Sequence, residues 1–116
     1  MKFTVEVLVK GEEHVVEKVV EVDVPEPHAW DDNDVRRVLE SILSTFDAVQ
    51  SPEATDRTVS LRGFSWIVTP VDDGVAIAIE IPSGAVVAGT FEADVDTLTA
   101  TITRALATVR GQEQVH

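Results

Sequence analysis

WDDNDVRRVLESILSTFDAV, residues Trp30 to Val49, is the stretch on which the fold turns. Val35, Val38, Leu39, Ile42, Leu43, Phe46 and Val49 recur at steps of three and four, which puts them on one stripe of a helix. Asp31 stands where an N-cap is needed. Trp30 before it and Val35 at the fourth helical position have the spacing of a hydrophobic staple. Ser51-Pro52 ends the helix, because a residue before proline avoids the α conformation. One apolar stripe means one face to bury, which suits a two-layer fold.

Upstream, Phe3, Val5, Val7 and Val9 alternate with Thr4, Glu6, Leu8 and Lys10, the period of a half-buried strand. Lys10-Gly11-Glu12-Glu13 supplies a turn. His14 to Val24 reads as the second strand of a hairpin. Val16, Val20, Val22 and Val24 form its apolar row, with Lys18 intruding. Val15, Glu17, Val19, Glu21 and Asp23 form the other row. Pro25-Glu26-Pro27 stops the pairing, since proline cannot donate to a ladder.

Downstream, Arg57 to Thr69 reads as a third strand. Its apolar parity switches between Leu61 and Phe64, which predicts a β-bulge at Gly63. Asp72-Asp73-Gly74 and Pro82-Ser83-Gly84 are turns that separate strands at Val75–Ile81 and Ala85–Phe91. Asp94 caps a second helix, whose stripe is Val95, Leu98, Ile102, Ala105, Leu106 and Val109, and Gly111 is placed to end it. The order ββαβββα predicts an α+β two-layer sandwich, a five-stranded, mostly antiparallel sheet with two helices on one face. One domain covers residues 1–111, and 112–116 form a frayed tail. The other sheet face is expected to carry Thr4, Glu6, Leu8, Ala76, Ala78, Val87 and Gly89, a mixture that invites self-association.

The chain has 116 residues and no cysteine, which removes disulfides, thiolate metal sites and thiol nucleophiles. No apolar run reaches the ~18 residues of a membrane span, and no signal-peptide pattern opens the chain, so a cytoplasmic protein is expected. Its net charge is −12. Between Glu12 and Asp34 there are nine acids and one base, Lys18, for a local net of −8. So negative a surface repels nucleic acid and anionic membranes. Three lysines against six arginines, with abundant Asp and Glu, also match the composition that a salt-rich cytoplasm favours.

No motif identifies a reaction. Gly63-Phe64-Ser65-Trp66-Ile67 begins like a nucleophile elbow but ends in Ile, and a strand continues where a helix is required. Gly84 and Gly89 have the glycine spacing of a phosphate-binding loop but lack its lysine. Counted from Asp31, the sixth and twelfth positions of a calcium loop are Arg36 and Ile42, which cannot serve. His14, His28 and His116 have no metal-binding spacing. No catalytic residue, metal or cofactor is therefore assigned.

Three functional expectations remain. The leading one is a non-enzymatic accessory or protein-interaction domain, forming a homodimer through the open sheet face or an edge strand. The second is an acidic inhibitor or immunity-type protein that meets a basic partner through Glu17, Glu21, Asp23, Asp31, Asp32 and Asp34. The third is a small-molecule-binding or hydrolytic protein, with a pocket formed by His28, Trp30, Phe64 and Trp66 in which His28 would be the base.

Overall fold

In a computed structural model, residues 1–53 and 60–114 are described, with side chains as far as Val109. The elements are β1 (Lys2–Val9), β2 (Val16–Glu21), a 3-10 turn (Pro27–Ala29), α1 (Asp32–Gln50), β3 (Ser65–Val71), β4 (Gly74–Ile81), β5 (Gly84–Phe91) and α2 (Val95–Gln114). All neighbouring strands are antiparallel, in the order β2-β1-β5-β4-β3. The expected two-layer α+β sandwich is present. Helix α1 lies over β1, β2 and β5, while α2 packs on α1 and β3.

Alternation decides which side chains meet the helices. Phe3, Val5 and Val7 of β1, Val86 and Ala88 of β5, and Val75, Ile77 and Ile79 of β4 are all buried. They face Leu39 and Ile42 of α1 and Ile102 and Leu106 of α2 in one continuous core. Phe91 is fully buried, with its ring centroid 5.2 Å from Phe3 and 5.4 Å from Trp30. Burying one such side chain contributes about 1.5–3 kcal/mol. Among the described residues, no polar or charged residue is buried.

Phe91 reaches the core because the β4–β5 register shifts. Val75 pairs with Phe91 and Ile77 with Ala88, so Gly89 and Thr90 together oppose Ala76. The extra residue restores the parity that strict alternation would have broken. The sequence places a bulge at Gly63 instead. Gly63, with φ 73°, lies in a bend before β3, and β3 begins only at Ser65. Leu61 is buried from outside any strand, so its parity carried no register information. Arg57 and Val59 of the expected strand lie outside the described residues. The second strand is also shorter than His14–Val24, and α2 continues past Gly111 to Gln114.

Both helices start on aspartate. The Asp31 carboxylate accepts from the Asp34 amide at 2.8 Å, and the Asp34 carboxylate accepts from the Asp31 amide at 3.1 Å, a reciprocal box. Trp30 and Val35, the expected staple pair, are both buried. Asp94 accepts from the Thr97 amide at 3.0 Å and from its hydroxyl at 3.1 Å. These bonds, the amide's first, hold the Asp94 carboxyl below the usual carboxylate range.

Two predictions follow from this packing. Gly84 has φ 153°, and a Cβ there would overlap the Leu8 carbonyl oxygen and come within 3.1 Å of the Phe46 ring. Gly84→Ala should therefore cost about 2–4 kcal/mol in urea unfolding. Asp94 has a depressed folded pKa, so its ionised form adds stability above the ordinary carboxylate range. That stability is lost as pH falls through the folded value. Asp94→Asn keeps a capping oxygen and removes the titration. Its stability should fall less steeply than wild type on acidification, while the two proteins differ little near neutrality.

Candidate interaction surfaces

The four aromatic and histidine candidates do not line one pocket. Trp30 is buried, its indole Nε1 donates to the Pro25 carbonyl at 2.8 Å, and its ring meets Phe91 edge-on at 71°. His28 lies on the exposed 3-10 turn, with Nδ1 3.6 Å from Glu26. Phe64 and Trp66 are half-buried at the other end of the sheet. Trp66 pairs with Ile79, whereas Phe91 pairs with Val75, so four residues of β4, about 13 Å, separate the two ends. Phe64 borders a shallow depression with Ser65, Glu80 and Pro82.

The acidic candidates divide in the same way. Glu17 and Glu21 pair with Glu6 and Lys2, which places them on the sheet face away from the helices, and Asp23 follows β2 on the exposed surface. Asp31 and Asp34 are occupied with capping α1. Asp32 is met from α2 by Arg104, whose Nε donates to Oδ1 at 2.7 Å. Part of the counter-charge absent from residues 12–34 therefore comes from a residue 72 positions away. Among the described residues, no group of three or more His, Asp or Glu side chains is placed to hold a metal ion. Among the described residues, no helix is long and apolar enough to cross a membrane.

Two surfaces stand out. The first is the uncovered sheet face. Ile67 pairs with Ala78 and Ala78 with Val87, and this apolar row runs on into Glu6 and Glu17. Ile67 is 62 % exposed, and Leu8, Val71 and Val87 are exposed on the same face. Ala78 and Ala85 are too small to fill the space between them, which leaves a shallow trough of about 290 Å³. The row over β3, β4 and β5 is thus apolar, with Ser65 and Glu80 at one end of it, while β1 and β2 carry Glu6, Glu17 and Glu21 around the exposed Val19.

The second surface is a groove between β2 and α1. Its apolar end, of about 560 Å³, is bordered by Val16, Val20, Ala48, Val49 and Pro52, with Lys18 among them. Ser41 and Ser44 continue it into a charged end of about 610 Å³, bordered by Glu21, Asp23, Arg37 and Glu40. The helix therefore runs antiparallel to the strand, with the groove following both. Val16 and Val20 belong to the row that alternation assigns to the core. They are only partly covered because two helices, 8–10 Å apart, do not span five strands spaced 4.8 Å apart. Ile67 and Val71 also escape the sequence reading, which assigns no residue of β3 to the open face. Lys18 in an apolar row was the one residue that signalled an incompletely roofed strand.

The chain matches no protein-family model, no curated protein and no solved structure.

Side-chain truncation separates the structural aromatics from the exposed ones. Trp30→Ala should cost about 3–5 kcal/mol in chemical denaturation. His28→Ala, with its ring in solvent, should stay within about 0.5 kcal/mol of wild type.

Proposed function

We propose that this protein is a non-enzymatic interaction domain that pairs with a second copy of itself through the apolar half of its open sheet face. The observation that carries this reading is the row Ile67-Ala78-Val87, apolar across three strands and covered by neither helix. Val68, Val75, Ile77, Ile79, Val86, Ala88 and Phe91 on the helix side of these strands are buried, whereas the large apolar side chains Ile67, Val71 and Val87 are exposed on the open face. Large contiguous apolar exposure on a soluble chain marks a contact surface.

Charge fixes how two copies meet. Each carries −12; on this face Glu80 stands at the end of the apolar half, and Glu6, Glu17 and Glu21 lie on β1 and β2. Copies related by a two-fold axis over β3, β4 and β5 keep the acids of β1 and β2 apart. An edge-to-edge contact through β3 is disfavoured by Pro70, which cannot donate to a ladder. Three strands of seven or eight residues offer a footprint of about 400 Å² per partner, half of the usual ~800 Å². A reversible dimer is therefore expected. Salt strengthens it, because like charges on the two copies are screened. We place the chain in a cytoplasm, where the acid-rich, lysine-poor composition also suits high salt.

Light scattering behind size exclusion tests the reading. The mass should rise from 12.6 kDa toward twice that value as concentration increases through about 10–200 μM, and more readily in 1 M KCl. Ile67→Glu, at an exposed position, should hold the protein monomeric with its melting temperature unchanged. A wild-type monomer across the whole range, at both salt concentrations, would overturn the reading.

A further inference from the structure

We propose that β2 and the groove beside it take up an extended, basic segment of another protein, which adds to the sheet as a sixth strand. Three observations converge there. Strand β2 ends the sheet order, so among the described residues no strand hydrogen-bonds to its outer side. Such an edge offers a row of amides and carbonyls to an incoming strand. The groove lies under that edge on the helix side. Side chains of an added strand alternate between faces, so every second one drops between β2 and α1, against Val16, Val20 and Val49. The intervening ones project on the open face beside Glu17, Val19 and Glu21.

That alternation specifies the occupant: apolar residues toward the groove, and Lys or Arg toward the glutamates. The flanks add to the selection. Glu12, Glu13, Asp23 and Glu26 bracket β2, so residues 12–26 carry six acids and one base. Within the groove, Lys18 stands between Val16 and Val20 on the same face, and the side chain opposite it must be polar or acidic. A second copy of this chain is a poor occupant. Its strands contain no run that alternates apolar with basic residues, and its own β2 would bring a net −5 flank against a net −5 flank. A nucleic acid is repelled by the same field. The surface differs from the self-association face, so either can fail while the other stands.

Salt separates the two contacts. The basic segment should bind more weakly as salt rises, opposite to the dimer. The test uses the full chain, labelled with ¹⁵N, and a peptide of about nine residues, the length of one strand, alternating Lys with Val or Leu except for one Gln at the central groove-facing position, opposite Lys18. Three control peptides share its length. One replaces Lys by Glu, one gathers the lysines in a block, and one carries N-methyl groups on the alternate amides that face the edge.

The alternating peptide should shift amides of residues 15–22 and of the second half of α1. Its affinity should fall by about tenfold or more between 50 mM and 500 mM KCl, and the three controls should bind at least about tenfold more weakly. Ala48→Phe fills the groove without altering charge and should abolish the shifts. Glu17→Lys with Glu21→Lys should do so without filling it. Unchanged melting temperatures keep both variants informative. The proposal is overturned if the block-lysine or N-methylated peptide binds equally well, if the shifts centre on residues 31–34, if Ala48→Phe binds like wild type, or if the alternating peptide fails to bind at about 1 mM.

Discussion

Phe91, Phe3 and Trp30, packed ring against ring beneath the two helices, form the contact on which the rest of the structure depends. Phe91 reaches that position only because β5 gains a residue opposite Ala76. Trp30 reaches it because Asp31 and Asp34 lock the first turn of α1 and because its indole N–H donates to the Pro25 carbonyl. The cluster thus joins the hairpin β1–β2, the start of α1 and the end of β5. All its members face the same side of the sheet, so the other side is left without an apolar partner of its own.

Width is the second constraint. Two helices roof about four strands, and the fifth must stand partly outside. Here that strand is β2, where Val16 is 36 % exposed and Val16 and Val20 border a groove instead of a core. Proteins commonly blunt such an edge with charge. The glutamates and Lys18 of β2 perform that role against like chains. Under the proposed strand addition, the same acids would select a chain of opposite charge, so protection and recognition would draw on one set of residues.

The acidic stretch looks uniform in sequence and is divided in three dimensions. Glu17 and Glu21 lie on the open face, Asp31 and Asp34 cap a helix, and Asp32 is held by Arg104. Only the share around β2 is left to face a partner. This division separates the two surfaces: the acids lie toward β1 and β2, and the apolar row of the open face lies on the other three strands.

The sequence by itself determined the type and order of the elements. Periods of two and of three to four are local consequences of which side chains need burial, and caps such as Asp31 and Asp94 act within four residues. The pairs that form the sheet were likewise legible wherever a turn joined them, as at Asp72-Asp73-Gly74. Only the tertiary structure decided the strand order, the register shift opposite Ala76, the place of Leu61 and the separation of Trp30 from Trp66. Those depend on contacts between residues distant in the chain, where alternation says which face a side chain takes but not what meets it. For the same reason, alternation ranked Val16 and Val20 with the core. Whether a helix extends far enough to cover them is a matter of widths and packing distances, which no local pattern records.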